Sequence, residues 1–125
     1  MSTTTREKAR TPEDITTLFV QRLNERDADG MAELYAPDAV MAYPPGKTTV
    51  GRDAIRAVLA QFAAHATLPV SQEESLPAVR NGDLALTATP AGDGTGIRVQ
   101  VTQRQPDGSW LRIIDRPESR PHPAS

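Results

Sequence analysis

The hydrophobic periodicity of the chain changes once, after Thr67, and this change constrains the fold more than any other feature. Before it, apolar residues recur every three or four positions, as at Ile55, Leu59 and Phe62, a spacing typical of an amphipathic helix. After it, apolar residues occupy every second position, as in 97–102, which is typical of β-strands. Because helical and strand patterns are segregated along the chain, the sequence predicts an α+β domain.

Three helices and six strands follow from these patterns and from the turn residues between them. The helices are predicted at 12–26, about 31–35 and 51–65, and the strands at 39–43, 48–50, 68–79, 84–89, 97–102 and 110–115. Asn81-Gly82-Asp83 and Pro106-Asp107-Gly108-Ser109 are hairpin signals, so the last four strands should form an antiparallel meander. Three helices on the concave face of such a bent sheet would leave a pocket between the two layers.

The 125 residues are enough for one domain. We expect a disordered N-terminal tail at 1–10, one domain at 11–117 and a disordered C-terminal tail at 118–125, because both ends are polar or rich in proline. The core is thin, with five aromatic residues and many alanines, so burial of a further face in a homodimer would stabilise it.

Charge and composition argue against several classes of partner. The net charge is −2 without a basic block, which argues against nucleic acid. No apolar run reaches the about 18 residues that cross a bilayer, and no secretory signal is recognisable. The absence of cysteine suits the cytoplasm. No nucleotide-binding motif is present and the two histidines are far apart in sequence, so we expect neither a cofactor nor a metal.

Five local phrases together resemble the nuclear transport factor 2-like superfamily, in particular its SnoaL-like members and ketosteroid isomerase homologues. They are LNERD at 23–27, LYAPDAV at 34–40, VGRDAI at 50–55, RQPDGSW at 104–110 and IDRP at 114–117. The resemblance implies a cone-shaped fold, in which three helices pack on a strongly curved, mainly antiparallel sheet. It also implies a cavity at the wide end and frequent homodimers. Activities in the superfamily range from isomerisation, cyclisation and dehydration to plain binding, so fold alone does not assign one.

The resemblance also argues against ketosteroid isomerase activity. That reaction needs a carboxylate base and an oxyanion hole that includes a tyrosine hydroxyl. The positions that match the base and the tyrosine are Tyr43 and Phe19. A phenol with a pKa near about 10 is a poor base at neutral pH, and a phenyl ring has no hydroxyl.

Asp115 is the main candidate for a catalytic acid or base, because it interrupts an otherwise apolar strand. Tyr43 would orient a substrate oxygen beside it. Two structural alternatives stay open: Asp115 accepts backbone hydrogen bonds before Pro117, and the Tyr43 hydroxyl reaches solvent or the backbone. Strand alternation predicts that Arg112 lies on the opposite face from Asp115, so the two would not form a pair, and that Arg98 points outward.

Five side chains are predicted to bind ligand: Phe19, Tyr43, Phe62, Trp110 and Arg112. Trp110 could stack on a flat molecule, although a lone tryptophan after a hairpin is more often a core residue. Three hypotheses follow. The first is a cavity that binds an apolar or aromatic metabolite, the second is a cyclase, isomerase or dehydratase that uses Asp115, and the third is a non-catalytic dimeric accessory protein that acts through the outer face of the sheet.

Overall fold

The computed structural model describes residues 6–91 and 96–117, which form three helices and six strands. The helices are α1 (Pro12–Asn24), α2 (Ala28–Ala32) and α3 (Arg52–His65). The strands are β1 (Tyr35–Met41), β2 (Thr49–Val50), β3 (Val79–Asn81), β4 (Leu84–Pro90), β5 (Ile97–Arg104) and β6 (Trp110–Arg116). The predicted α+β class, with three helices on a mainly antiparallel sheet, is confirmed.

The six strands form one sheet in the order β2-β1-β6-β5-β4-β3. The last four strands make the predicted antiparallel meander, and β1 joins it by pairing in parallel with β6. This parallel pairing brings the start of β1 beside the last strand, with Tyr35 opposite Arg112. Residues 77 positions apart thereby become neighbours at the centre of the sheet.

The first helix begins where the sequence predicts. Thr11 is its N-cap, and the Thr11 hydroxyl accepts a hydrogen bond from the Asp14 backbone N–H while the Asp14 side chain accepts from the Thr11 N–H. This capping box satisfies donors that helical bonding leaves unpaired, and Pro12 suits the first turn because it has no N–H. Ile15, Leu18 and other apolar residues of α1 then face the sheet.

Two strand predictions are wrong. Residues 68–78 contain no strand, because Pro69 and Pro77 have no N–H to donate to a neighbouring strand. Isolated backbone hydrogen bonds hold this segment instead, such as the one that the Leu76 N–H donates to the Ala88 carbonyl. The strand predicted from residue 39 begins at Tyr35 instead. Its pairing with β6 shifts between Tyr35 and Val40, and this irregularity accommodates Pro37 inside the strand.

Residues 6–10 lie against the domain, although the sequence places them in a disordered tail. Ala9 is buried, and its carbonyl accepts a hydrogen bond from the Trp110 N–H. Arg6 and Lys8 form ion pairs with Asp27 and Asp107. The expected tails at 1–5 and 118–125 lie outside the described residues.

The core lies between the helices and the inner face of the sheet, and most of its volume comes from the helices and β1. Its largest fully buried side chains include Ile15, Met31, Leu34, Tyr35 and Ile55. Among the helices of the described residues, none is long and apolar enough to cross a membrane.

Candidate functional site

A pocket of about 460 Å³ lies between the sheet and helices α1 and α3. Its helical wall is apolar and consists of Phe19, Val20, Leu23, Val58, Leu59 and Phe62, alongside one threonine, Thr16. Met41 and Tyr43 continue this wall from β1 and the residues after it. Phe62, Glu73 and Arg98 are partly exposed to solvent, so the pocket opens beside them.

Five buried polar side chains line the pocket on its sheet side. Thr89 bonds to Ser75, and the other four lie together and are called the polar cluster: Tyr35, Gln100, Arg112 and Asp115. The Tyr35 hydroxyl donates a hydrogen bond to Asp115 Oδ2 over 2.5 Å, and Gln100 Nε2 donates to Asp115 Oδ1 over 3.2 Å. Thr87 Oγ1 in turn donates to Gln100 Oε1 over 3.0 Å, which orients the amide. Each oxygen of the Asp115 carboxylate therefore has a donor from the protein.

The guanidinium of Arg112 is less completely bonded. Nη1 donates a long hydrogen bond of 3.3 Å to the Tyr35 hydroxyl and lies 3.9 Å from Asp115 Oδ2, beyond hydrogen-bond distance. Cζ lies over the rings of Phe19 and Tyr35, 4.8 and 5.6 Å from their centroids, within the range of cation–π attraction. Within the described ranges, the buried Nε has no hydrogen-bond partner.

A β-bulge brings Arg112 and Asp115 to the same face of the sheet, so the prediction of opposite faces is wrong. On β5, Val101 pairs with Ile114 and the next residue, Thr102, pairs with Arg112. Ile113 is thus the extra residue of the bulge, and it reverses the alternation beyond it. Arg112 and Asp115 are 4% and 2% exposed, whereas Ile114 between them is 51% exposed.

The prediction that Arg98 points outward is also wrong. It shares a face of β5 with the buried Gln100 and lines the pocket, where it pairs with Glu73. The prediction assumed that the aliphatic face of β5 covers the core. In the structure the opposite face, with its polar residues, faces the helices.

Burial and the neighbouring Asp115 raise the pKa of the Tyr35 phenol well above its ordinary value of 10. The cationic guanidinium of Arg112 acts in the opposite direction but does not offset these two causes. Tyr35 is therefore a neutral hydroxyl near neutral pH. It accepts a hydrogen bond from Arg112 and donates one to Asp115.

The structure brings together most of the predicted site residues. Phe19, Tyr43, Phe62, Arg112 and Asp115 all line the pocket. Trp110 does not: it is buried in the core at 3% exposure, beside Ala9 and with Arg80 over its ring. Its indole therefore packs as a core side chain, which was the alternative interpretation.

Two residues of the polar cluster, Tyr35 and Gln100, are missed by sequence reasoning. Tyr35 falls at the end of the predicted second helix, and Gln100 falls on the strand face taken as outward. A usable signal was present: Thr87, Gln100 and Thr102 are uncharged polar residues at alternate positions of neighbouring strands. Such residues can hydrogen-bond one another and can therefore be buried.

Across residues 6–91 and 96–117 there is no group of three or more histidine, aspartate or glutamate side chains that could hold a metal ion. His65 lies exposed at the end of α3, where its Nδ1 is 2.9 Å from the Gln61 carbonyl. His122 lies outside the described residues.

Residues 16–114 match the family of SnoaL-like domains, and the chain belongs to that family. No curated protein matches the sequence. The resemblance to SnoaL-like proteins is thus confirmed.

Solved structures agree on the fold. A chain from Thiobacillus denitrificans, assigned as a calcium/calmodulin-dependent protein kinase type II association domain, has 21% identity and a TM-score of 0.71, with 91% of this chain and 100% of that chain covered. A ketosteroid isomerase-like protein from Erwinia carotovora has 19% identity and a TM-score of 0.65, with 83% and 89% covered. A structure from Catenulispora acidiphila in complex with S-DNPA has 20% identity and a TM-score of 0.62, with 82% and 86% covered. These similarities establish the cone fold of the superfamily.

Proposed function

We propose that this protein binds a small apolar or aromatic metabolite in the pocket between the helices and the sheet. The observation that carries the proposal is the pocket itself, about 460 Å³ in volume with an apolar helical wall and the polar cluster on its other side. Small-molecule sites usually have volumes of about 300–1,000 Å³, apolar walls and a few convergent polar groups.

The bonding of Asp115 favours binding over acid–base chemistry. Each of its oxygens already accepts a hydrogen bond from the protein, from Tyr35 and from Gln100. A carboxylate held in this way positions its neighbours more readily than it takes a proton from a ligand. The Catenulispora acidiphila structure of this fold is a complex with S-DNPA, which supports a binding role.

A thermal-shift screen against aromatic polyketides, steroids and terpenoid acids tests the proposal. A ligand at 100 times its dissociation constant adds about 2.7 kcal/mol to the free energy of unfolding, which is readily measured. Val58→Trp would fill the pocket and should abolish the shift, whereas Ala57→Trp, at the exposed neighbouring position of α3, should keep it. Shifts that survive Val58→Trp would place the ligand elsewhere, and the absence of any shift would favour the accessory role.

A second candidate function is a cyclase-, isomerase- or dehydratase-type enzyme of natural-product metabolism. The observation that favours it is the juxtaposition of a buried carboxylate and a phenol in a ligand-sized pocket, with 2.5 Å between Tyr35 Oη and Asp115 Oδ2. Asp115→Asn separates the two functions. A binding protein should still bind its ligand, and an enzyme should bind it but no longer convert it, as followed by mass spectrometry of the ligand.

We further propose that the protein is a homodimer joined through the outer face of the sheet. Paired positions on six successive strands form a continuous aliphatic row, which we call the outer row: Val79, Leu86, Val101, Ile114, Val40 and Val50. Val79 is 67% exposed, and Leu86, Ile114 and Val50 are also exposed. An exposed apolar strip of this extent is typical of an interface, and a second copy of the sheet would cover it. A cytoplasmic location remains the prediction from the absence of cysteine.

A further inference from the structure

We infer that the ligand of this pocket carries a carboxylate, which binds the guanidinium of Arg112, on an apolar ring system that lies against the helical wall. The inference rests on the proposed binding function and specifies the chemical class of the ligand. It follows from the burial and the unpaired N–H donors of Arg112, the only basic side chain of the polar cluster.

Arg112 is a buried cation with unused donors. It is 4% exposed, and its Nε has no partner among the residues that the structure describes. An unpaired buried donor is costly, so such a group usually marks the position of a water, an ion or a ligand. Because Arg112 lines the pocket, an acceptor bound there can approach its guanidinium.

Asp115 does not supply that acceptor. Its closest oxygen is 3.9 Å from Arg112 Nη1, and the two carboxylate oxygens accept hydrogen bonds from Tyr35 and Gln100 instead. Tyr35 takes one guanidinium N–H through a long bond of 3.3 Å. A guanidinium has five N–H donors in a planar fork that fits a carboxylate, so most of this capacity remains for an incoming anion.

Arg98, the other arginine that lines the pocket, is a weaker candidate. Its Nη2 is paired with Glu73, and both side chains are partly exposed at the open end. A carboxylate that binds there would compete with Glu73 and with water. The buried position of Arg112 makes an ionic hydrogen bond stronger because water does not screen it.

The geometry around Arg112 also indicates the rest of the ligand. The rings of Phe19 and Tyr35 pack against the guanidinium, so its free N–H groups are approached in its own plane. An acid bound in that plane extends between Phe19 and the other apolar wall residues, which include Tyr43 and Phe62. This arrangement favours an apolar ring that bears a carboxylate over a flexible polar anion.

The test compares naphthoate with naphthamide of the same substitution, which differ in charge but hardly in shape. Both are titrated into the wild-type protein by calorimetry. We expect naphthoate to bind at least about tenfold more tightly, because a hydrogen bond between two charged groups is stronger than one to a neutral amide. Equal binding of both would overturn the carboxylate inference while leaving the pocket proposal intact. Binding of neither would overturn the pocket proposal and, with it, this inference.

Substitutions then test which residue causes the preference for naphthoate over naphthamide. Arg112→Gln should remove it, whereas Arg104→Gln, a surface arginine paired with Asp83, should keep it. A preference that is lost in Arg98→Gln and kept in Arg112→Gln would contradict the assignment. If Arg112→Gln does not fold, the apolar double variant Arg112→Met with Asp115→Leu serves instead. Removal of the negative charge of Asp115 alone should strengthen the binding of naphthoate. If the double variant loses the preference for naphthoate over naphthamide, the loss is therefore due to the substitution of Arg112.

Discussion

The two faces of the central sheet differ in a way that reverses the usual expectation for a small domain. The inner face, covered by helices, carries a row of polar residues at its centre: Thr87, Gln100 and Asp115 occupy paired positions on β4, β5 and β6. The outer face carries the aliphatic outer row from Val79 to Val50. The polar residues are buried, while four of the six aliphatic ones are exposed.

Two physical conditions allow polar residues to be buried on the inner face while aliphatic residues are exposed on the outer face. The buried polar groups bond one another, from Thr87 through Gln100 to Asp115 and Tyr35, so little hydrogen bonding is lost on burial. The inner residues of β4 are also small, namely Ala85, Thr87 and Thr89, whereas its outer residues include leucines. Small inner side chains leave space for the pocket, and the leucines form an exposed apolar surface. The proposed ligand and the proposed second subunit would therefore bind opposite faces of the sheet.

The largest loss of stability should come from a substitution on the inner face of the sheet, at Asp115. Asp115→Ala leaves the buried guanidinium of Arg112 without its carboxylate, and we expect a loss of about 3–5 kcal/mol in the free energy of unfolding. Urea denaturation measures it. Asp38→Ala, an exposed carboxylate on β1, is the control and should change stability by less than about 0.5 kcal/mol. Equal effects of the two variants would show that the polar cluster does not stabilise the fold.

Tyr35→Phe should have the next largest effect. It removes the donor to Asp115 and the acceptor for Arg112, and one buried partner left unpaired costs about 1–3 kcal/mol. Tyr43→Phe is the matched control, because the Tyr43 hydroxyl forms no hydrogen bond to the described residues, and it should cost less than about 0.5 kcal/mol. Chemical denaturation measures the free energy of unfolding of both variants and of the wild-type protein.

Burial of the Tyr35 phenol also predicts that stability depends on pH. The folded-state pKa of Tyr35 is raised by burial, above its ordinary value of 10. The folded protein therefore holds this proton where the unfolded chain has lost it, and the stabilisation is complete below about pH 10 and declines as the pH rises toward the folded-state pKa. In the variant Tyr43→Phe, which leaves Tyr35 as the one tyrosine of the chain, ultraviolet titration of tyrosinate should show ionisation only well above pH 10. Ionisation of Tyr35 at about pH 10 in the folded variant would contradict its burial.

The smallest effect on folding should come from the outer face. Leu86→Glu changes an exposed side chain, so the stability of one subunit should change by no more than about 0.5 kcal/mol. The proposed dimer, however, should dissociate, because the charge would be buried within the interface. Analytical ultracentrifugation measures this, with Ala57→Glu on the exposed side of α3 as the control. A wild-type monomer at high concentration would remove the dimer proposal.

Local sequence signals predicted most of the elements, but they did not predict the contacts within the polar cluster. Helices α1 and α3 were predictable because their apolar spacing and their N-terminal residues act within a few positions, and the hairpins because Gly82 and Gly108 adopt positive φ angles in their turns. Phe19 and Tyr43 could be placed at the pocket through the family resemblance, and Phe62 through the apolar spacing of α3. Tyr35 could not, because the parallel pairing of β1 with β6, which makes it a neighbour of Arg112, has no local signature.

By itself, then, the sequence determined the fold class, the order of the elements and the family, since periodicity, caps and turn residues act over short distances. Only the tertiary structure decided which face of the sheet is inside. Alternation defines two faces of a strand but does not say which one the helices cover, and the bulge at Ile113 exchanges the faces within β6. Tyr35 lies on β1, whereas Arg112 and Asp115 lie on β6. These side chains come together only when β1 has paired with β6 and the bulge has formed in β6 against β5.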